Sequence, residues 1–492
     1  MKKVSISHPI LQQLSNIAER HRKEIYLVGG YVRDLLLGNP SHDIDITIEG
    51  SGLEFAELVA RELRVKPIIF ERFGTAMLMV GETQIEFVGT RKEEYLPDSR
   101  KPIVTEGTLL DDLRRRDFTV NAMAIRVNGS STGEIIDHFD GLGDLERKLL
   151  RTPLDPVITY SDDPLRMMRA ARFAAQLQFQ LDPDSYDAIS QMRERISIVS
   201  QERITAEFLK LLQSSQPSIG LAILLKTGLL ELVFPEVHRL EGVDLMNVGG
   251  IRYAHKNVFW HTLKVVDNAA AVSDNLYLRF AALMHDVAKP KTKKFREGIG
   301  WSFHGHEEIG ARWQERIFRR MKLPMKQKEY VEKLVRLHHR PMALVDDGVT
   351  DSAIRRLIVD AGEDLDDLFI LCRADITSKD PQRVKKYLKN YDGVIERIQE
   401  VREKDRLRAF QSPVRGEQIM ELCGLGPSKM VGILKTAIED AILEGRIPNE
   451  YDAALAYLLE IKDEMMEVGK EVGSRAAACE SNSPLMLSLV EV

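Results

Sequence analysis

Cysteines and long apolar runs are scarce in this chain. Among its 492 residues there are three cysteines, Cys372, Cys423 and Cys479, and their spacing matches neither a disulfide framework nor a zinc cluster. No run approaches the roughly 18 to 20 apolar residues that span a bilayer, and the N-terminal residues lack an apolar signal core. We therefore expect a cytoplasmic protein with no membrane partner.

An excess of one charge sign is also missing. The chain has 69 Lys and Arg against 75 Asp and Glu, which gives a formal net charge of -6. This balance argues against a protein that coats nucleic acid with its whole surface, but it leaves room for a local basic track. Positive charge is concentrated in residues 114–116, 166–172 and 316–340. The last of these segments could equally be a solvated helix face.

Length and apolar content indicate several domains with sizeable cores, since 44% of the residues are hydrophobic. Strand-like runs occur before residue 147 and nearly vanish after Pro164, where the periodicity is helical. We predict an α+β multidomain fold, with a small mixed-sheet head followed by a long all-α body. The predicted strands are Ile25–Val28, Ile44–Ile48, Lys66–Phe70, Ala76–Val80 and Gln84–Val88, and a helix is predicted over Gly52–Leu63.

Composition divides the chain further. We expect the head over residues 1–147, a helical neck over 148–245, and a histidine-rich helical domain over 255–380. A helical region rich in Lys and Glu follows over 381–472, and residues 473–492 are expected to be a poorly ordered tail. No internal repeat of solenoid period is apparent.

A glycine pair and a carboxylate pair lie close together in the head. An apolar run ends in Gly29 and Gly30, whose amides could donate to phosphate oxygens near a helix start. Arg33 follows, and its planar guanidinium could fork onto a phosphate. Asp43 and Asp45 alternate along a strand and project from one face, as ligands of magnesium-bound nucleoside triphosphate would. Each motif alone is also typical of an ordinary turn or a solvated strand edge.

Residues 112–124 are too densely functional for an ordinary surface loop. They set arginines, a carboxylate and an amide against an apolar run, and the candidate residues are Arg115, Arg116, Asp117 and Asn121.

Residues 162–174 carry an arginine ladder. After Asp163, Arg166, Arg169 and Arg172 recur every three residues, so they drift slowly around one helix face. Acids four residues away would normally pair a solvated ladder, but those positions are mostly apolar. We expect the ladder to face a ligand or a buried partner.

In this order the motifs resemble those of class II tRNA nucleotidyltransferases, the CCA-adding enzyme family of the polymerase β superfamily. Residues 29–45 are similar to the family's catalytic motif, and residues 115–122 to its ribose and triphosphate block. Asp163 with Arg166 is similar to its amino-acid template, and residues 200–212 to the helix supporting that pocket. The matches cover roughly residues 25–240. Asp162 stands where the family usually has Glu, which could weaken support of the pocket.

The resemblance implies untemplated addition of C, C and A to the 3′ end of tRNA, from CTP and ATP with Mg²⁺. Asp43 and Asp45 would be the catalytic magnesium ligands. Asp163 would accept a hydrogen bond from the base amino group, and Arg166 would donate to the base ring. Residues 381–472 would bind tRNA, and no obligate protein partner is expected. The nucleotide-binding residues would be Gly29, Gly30, Arg33, Arg115, Arg116, Asp117, Asn121, Asp163, Arg166, Arg169 and Arg172.

A second chemistry is indicated by histidines. His285 and Asp286 end an apolar helical run, where burying them without a ligand would be costly. The region resembles an HD domain, which implies a site for Ni, Mn, Co or Fe and a phosphohydrolase activity on phosphate monoesters or cyclic phosphates. A structural, inactive HD domain is the alternative. The implied ligands are His261, His285, Asp286 and Asp375, with His306 and His338 as candidates for a second metal.

Three alternatives stay open. A bacterial poly(A) polymerase shares the head, but it typically has an Arg-Arg-Phe and histidine element where this chain reads Phe70-Glu-Arg-Phe-Gly-Thr-Ala76. An enzyme adding only CC or only A would differ in a flexible loop within Glu93–Glu106. From another class, the chain could be an HD phosphohydrolase with an RNA-binding head, although paired Asp43 and Asp45 speak against it.

Overall fold

The computed structural model describes residues 2–39, 43–71, 74–96, 99–242, 245–248, 251–254, 257–296, 300–345, 349–405 and 412–463. The chain forms two compact units, Met1–Arg336 and Leu337–Val492. Within the described residues, no helix is both long enough and apolar enough to cross a membrane. Cys479 and the predicted tail lie outside them. The domain borders proposed at 147, 245 and 380 stay predictions.

The head alternates strands and helices. Its helices are α1 (Pro9–Arg20), α2 (Gly29–Leu36), α3 (Gly52–Leu63), α4 (Leu109–Arg114) and α5 (Gly141–Arg147). Its strands are β1 (Ile25–Val28), β2 (Asp43–Ile48), β3 (Ile68–Phe70), β4 (Thr75–Val80), β5 (Thr83–Gly89), β6 (Arg91–Leu96), β7 (Ser99–Glu106), β8 (Met123–Arg126) and β9 (Ile135–Asp137).

A mixed sheet organises the described part of the head. Its seven strands run in the order β3-β4-β5-β2-β1-β8-β9, and β2 pairs with β5 in parallel. All four residues of β1 are buried, since neighbours flank this strand on both sides. Helices α1 and α3 pack against the sheet. The rings of Phe55 in α3 and Phe87 in β5 contact each other edge to face, with their centroids 5.9 Å apart. This sheet holds β2 and the start of α2 side by side.

The predicted head elements are confirmed, with two differences. β1 and α3 have the predicted bounds, but α2 begins at Gly29, so the glycines form its first turn and do not precede it. The segment Glu93–Glu106, expected to contain a flexible loop, lies largely in the antiparallel ribbon β6–β7. Backbone pairing therefore extends over more of this segment than the family resemblance implies.

Helices dominate the rest of the first unit, as predicted. They are α6 (Pro156–Asp162), α7 (Leu165–Leu177), α8 (Pro183–Met192), α9 (Gln201–Leu212), α10 (Pro217–Lys226), α11 (Leu229–Val233), α12 (Pro235–His238), α13 (Val258–Ala270), α14 (Leu276–Met284), α15 (Lys289–Thr292), α16 (His306–Arg320) and α17 (Lys328–Leu337). Short strands, which we did not predict, form two-stranded ribbons: β10 (Leu149–Leu150), β11 (Gln180–Leu181), β12 (Leu245–Val248), β13 (Ile251–Ala254), β14 (Lys294–Arg296) and β15 (Gly300–Ser302).

The described part of the second unit is helical. A small apolar core near its C-terminal end includes Val414, Ile419, Leu434 and Leu458. The helices are α18 (Asp351–Ala361), α19 (Leu365–Ala374), α20 (Pro381–Asp405), α21 (Gly416–Cys423) and α22 (Lys429–Leu443).

Candidate nucleotide site and histidine cluster

A cavity of about 570 Å³ lies between the sheet edge of the head and helices α7 and α9. Seven arginines and four carboxylates line it, so positive charge prevails, as a polyphosphate requires. The sequence-predicted residues on its wall are Gly29, Gly30, Arg33, Asp45, Arg115, Arg116, Asp117, Asn121, Asp163, Arg166, Arg169 and Arg172. Asp43 is not part of this wall, and the unpredicted lining residues are Leu165, Phe173, Gln176, Arg203, Ala206 and Glu207.

Carboxylates gather at the β2 edge of the cavity. Asp43 is exposed and Asp45 half-buried two residues further along the same strand, so both project from one face. The parallel pairing of β2 with β5 puts Glu86 level with Asp45. Burial, together with the charges of Glu86 and Asp43, raises the pKa of Asp45 to about 6 against the opposing effect of Arg116. Such crowded carboxylate oxygens fit a hard divalent cation such as magnesium.

Gly29 brings the backbone close to these charges. Its φ of +71° lies in the left-handed region that favours glycine. A Cβ there would stand 2.7 Å from Nη1 of Arg116 and 3.2 Å from Oδ2 of Asp45. The first turn of α2, strand β2 and Arg116 therefore converge at a point where only a glycine fits.

A buried carboxylate on α4 orients both arginines that follow it. Asp112 is fully buried, and its Oδ2 accepts from Nη2 of Arg116 at 2.8 Å, while Oδ1 accepts from Arg115 Nε at 3.0 Å. Burial alone would raise the pKa of Asp112, but Arg116 and Arg115 lower it. Asp112 was not among the predicted site residues, although its spacing of three and four residues from these arginines is typical of side-chain pairs on one helix face.

A hydrogen-bond chain crosses the cavity floor. Arg33 Nη1 donates to Asn121 Oδ1 at 2.8 Å, and Asn121 Nδ2 donates to Asp117 Oδ1 at 2.9 Å. The other oxygen of Asp117 accepts from Arg169 Nε at 2.8 Å. Burial would raise the pKa of Asp117, but Arg169 and the Asn121 hydrogen bond lower it to about 2. The chain thus links α2 to the arginine ladder on α7.

The ladder also meets α9 and an aromatic ring. Arg172 Nε lies 2.8 Å from Glu207 Oε2, and the Arg169 guanidinium lies 3.9 Å from the same carboxylate. Burial and the neighbouring Arg169 lower the pKa of Arg172 to about 10, against the effect of Glu207. Three guanidinium groups surround the ring of Phe173, at 4.0 Å for Arg172, 5.1 Å for Arg33 and 5.2 Å for Arg169. The ladder therefore has buried partners and also faces the cavity.

Asp163 and Arg166 lie where α6 ends and α7 begins. One Asp163 oxygen accepts from the Leu165 amide at 3.2 Å, and the other lies 3.7 Å from Arg203. Arg166 is buried, and it donates to the carbonyl oxygens of Thr159 and Arg115. These contacts fix both side chains at the cavity wall.

Four of the predicted histidine-site residues come together in the first unit. His261 Nε2 lies 3.6 Å from Asp286 Oδ2, His285 Nε2 lies 3.2 Å from the same oxygen, and His306 Nε2 lies 3.2 Å from Oδ1. The carboxylate is fully buried and also contacts Lys289 Nζ at 2.7 Å. Burial would raise the pKa of Asp286, but His285 and Lys289 hold it well below its usual range. Imidazoles around one carboxylate fit a divalent transition metal.

The remaining two predicted ligands, His338 and Asp375, belong to the second unit. There His338 is buried, and its carbonyl oxygen accepts a hydrogen bond from the Cys372 thiol at 3.0 Å. Burial, and to a lesser degree Asp375, raise the pKa of that thiol well above its usual range.

The basic segment 316–340 is largely an ion-paired surface. Arg319 pairs with Glu315 at 2.6 Å, and Arg336 pairs with Glu332 at 2.6 Å, each across one helical turn. Arg320 reaches Glu236 of α12 at 2.5 Å. The interpretation as a charge-balanced helix face fits this segment better than that of a basic track.

Some of the site residues that were not predicted lie within sequence motifs, and others do not. Arg203 and Glu207 lie within the motif over residues 200–212, and Phe173 sits inside the ladder. Glu86 has no local signal, because only strand pairing brings it beside Asp45.

Three family descriptions match successive parts of the chain. "Poly A polymerase head domain" matches residues 25–151, "Probable RNA and SrmB- binding site of polymerase A" residues 178–240, and "HD domain" residues 258–380. The matches follow the order of head, neck and histidine block.

Individual relatives are named as enzymes that add nucleotides to tRNA. An "A-adding tRNA nucleotidyltransferase" of Deinococcus radiodurans is 32% identical over 87% of this chain and 93% of its own length. A "CCA-adding enzyme" of Lactobacillus johnsonii is 38% identical over 46% of this chain and 54% of its own length. A solved tRNA nucleotidyltransferase, complexed with a primer tRNA and an incoming ATP analog, is 25% identical with a TM-score of 0.55, covering 78% of this chain and 99% of that one.

Proposed function

The chain belongs to the tRNA nucleotidyltransferase family, and we propose that it completes the 3′ end of tRNA by adding C, C and A from CTP and ATP. One observation carries this proposal. The cavity brings the first turn of α2, the Asp45 carboxylate, four side chains of the segment 115–121 and the pair Asp163 and Arg166 onto one wall, although they are far apart in sequence. We propose the cytoplasm as its location, where tRNA and both nucleotides would meet it.

Phosphoryl transfer would take place at the β2 edge. Asp43 and Asp45 would hold magnesium, which when bound supplies activation of the tRNA 3′-hydroxyl and stabilisation of the pyrophosphate leaving group. Arg116 would bind the triphosphate beside Asp45. The hydrogen bond from Arg116 to Asp112 keeps the guanidinium in place. Gly30 and Arg33 would bind the phosphates from the other side of the turn.

Base selection would rest on Asp163 and Arg166. Cytosine and adenine both present an amino donor beside an acceptor, so one carboxylate and one guanidinium can recognise both and reject G and U. Each bidentate pair of this kind is worth about 1 to 3 kcal/mol against a wrong base. The two backbone carbonyls that accept from Arg166 support this role, because they fix its orientation while leaving other N–H groups for the base.

Addition of A alone is a second candidate function. It is favoured by the Deinococcus radiodurans relative, which matches this chain along nearly its whole length and is named for A addition. The chemistry would be identical, and only the accepted primer would differ.

Three primers separate these functions: tRNA ending before CCA, tRNA ending in C, and tRNA ending in CC, each with magnesium and both CTP and ATP, one of which is labelled. Extension of all three to CCA supports the first proposal. Extension of the CC-ending primer alone, by one A, supports the second. Long poly(A) or no incorporation contradicts both.

For the histidine cluster we propose a bound divalent transition metal and phosphohydrolase activity. His261, His285, Asp286 and His306 would hold the metal. Support comes from the ligand atoms of His261, His285 and Asp286, which all lie within 4.8 Å of one another.

Metal content tests the histidine cluster. The purified protein should carry metal, measured by mass spectrometry, and the double variant His285→Ala/Asp286→Ala should lose it while keeping nucleotide addition. A protein that stays metal-free after reconstitution contradicts the proposal.

A further inference from the structure

A buried arginine links the histidine-rich domain to the neck. Arg279 lies on α14, the helix that ends at Met284 just before His285 and Asp286. Only 3% of its surface is exposed, and burying a guanidinium is costly unless its N–H groups are paired. Its hydrogen bonds therefore show which parts of the chain it holds together.

The guanidinium has five N–H donors, and it makes five hydrogen bonds. Nη1 donates to the carbonyl oxygens of Leu212 and Ser214, each at 3.1 Å. The other three bonds end at the last residue of α13 and in the turn that follows it. Their acceptors are the carbonyl oxygens of Ser273 at 2.9 Å and Ala270 at 3.3 Å, and Oδ1 of Asp274 at 3.1 Å. The donors are thus divided between the end of α9 and the end of α13.

The end of α9 needs such a partner. Leu212 is the last residue of α9, a position where the carbonyl oxygens have no N–H group within the helix to accept from. A cation at this end also interacts favourably with the helix dipole. Arg279 therefore fixes the C-terminal end of α9 to α14 with two hydrogen bonds.

The same helix carries part of the nucleotide cavity. Glu207 of α9 lies on the cavity wall, where its Oε2 is 2.8 Å from Nε of Arg172 and its Oε1 is 3.9 Å from Nη1 of Arg169. At 1.5 Å rise per residue, Glu207 and Leu212 are about 7.5 Å apart along the helix axis. A short length of helix thus connects the two ladder arginines with Arg279.

Two further contacts join α9 to the same domain. Thr205 Oγ1 donates to the carbonyl oxygen of Met321 at 2.6 Å, at the end of α16. The ring centroid of Phe208 lies 5.3 Å from that of Phe234, which lies 6.2 Å from that of Phe280 in α14. Helix α9 is therefore packed between the cavity and the histidine-rich domain, and its position depends on both.

We propose that Arg279 is a positioning residue for nucleotide binding, which acts through α9 to hold Glu207 against the arginine ladder. The inference rests on the proposed function and adds to it a residue outside the nucleotide cavity. It gives the histidine-rich domain a part in nucleotide addition that needs no metal. A purely structural Arg279 would stabilise the fold and leave the nucleotide affinity of the folded protein unchanged.

Arg279→Met should weaken nucleotide binding. The variant removes all five donors, so the carbonyl oxygens at the end of α9 lose their partner and Glu207 no longer holds Arg172 in place. The Kd for CTP and for ATP should rise by about tenfold to a hundredfold, because a displacement of about 1 Å at a binding group can cost as much. Arg279→Lys keeps the charge but not the planar fork, and its Kd should lie between those of the wild type and the Met variant.

Calorimetric titration of the full chain with each nucleotide and magnesium measures both Kd values. Thermal unfolding of every variant sets the titration temperature, so that only folded protein is compared. Val335→Ala is the matched control, because Val335 is fully buried in the same domain and packs against Gly310 of α16. This control should lower the unfolding temperature and leave both Kd values unchanged.

A double-mutant cycle tests the route through Glu207. Glu207→Ala breaks the contact with the ladder directly. In that background, Arg279→Met should change either Kd by less than about twofold, because the contact through which Arg279 acts is already lost. If the Met variant does not fold, Arg279→Lys takes its place in the same cycle.

Unchanged Kd values in Arg279→Met overturn the proposal, and so does an equal rise in Val335→Ala. A full additional loss of affinity in the Glu207→Ala background also overturns it, since Arg279 would then act by another route. If the wild type binds neither CTP nor ATP, the proposed function fails. That outcome is distinct from failure of the positioning role alone, in which the wild type and the Arg279→Met variant bind both nucleotides equally well.

Discussion

The nucleotide cavity and the histidine cluster both place carboxylates among nitrogen-bearing side chains, but the proportions are opposite. Around the cavity, arginines outnumber carboxylates seven to four. In the cluster, one fully buried carboxylate, Asp286, is contacted by three histidines and Lys289. The first arrangement leaves arginine N–H groups facing an open cavity, and the second brings several donor atoms close together.

This difference separates the ligands that the two sites suit. A guanidinium held by a buried acid, as Arg116 is held by Asp112, presents fixed donors to a large anion. Imidazoles around a carboxylate present lone pairs at short range to a small cation. Three substitutions test this difference between the two sites.

The largest effect is expected from Asp45→Asn. Removing one carboxylate from the β2 edge should reduce nucleotide addition by a thousandfold or more, about 4 kcal/mol in transition-state stabilisation. Initial rates with tRNA and labelled ATP measure it. Metal bound by the histidine cluster should stay unchanged, and a joint loss of both would mean that the two sites are not independent.

Asp117→Asn should destabilise the protein by about 3 kcal/mol, because Arg169 would lose its buried partner. The folded pKa of Asp117, about 2, lies below the ordinary value of 3.8, so its contribution is complete above pH 4 to 5 and is lost as pH falls towards 2. Urea unfolding of both proteins at pH 7 and at about pH 2.5 measures this. A stability gap that does not narrow at the lower pH would contradict it.

The smallest effect is expected from Phe173→Leu. Loss of the ring beneath three guanidinium groups should cost about 1 kcal/mol of nucleotide affinity, roughly a fivefold rise in Kd. Calorimetry with CTP and ATP measures it. Phe55→Leu, in the core of the head, is the matched control: it should lower stability and leave nucleotide Kd unchanged.

Several helices and strands of the head could be predicted from sequence because short local patterns of apolar residues specify them. Ile25–Val28 is a short apolar run, and Gly52–Leu63 has a helical apolar stripe with Ser51 as its cap, so both were predicted with their observed bounds. The ribbons β12–β13 and β14–β15 were not predicted. Pairing between the two short strands stabilises each ribbon, and the composition of either strand alone does not indicate that pairing.

The sequence alone determined the kinds of residue at each site and their order. The glycines, the paired aspartates and the arginine ladder could be predicted as site residues, because that prediction depends on residue spacing along one strand or helix. Only the tertiary structure decided which side chains are partners. Parallel strand pairing sets Glu86 beside Asp45, and packing of α7 against α9 gives the ladder Glu207. Such contacts join residues that are far apart in sequence, so no local sequence pattern predicts them. Burial makes the electrostatic interaction between these residues strong.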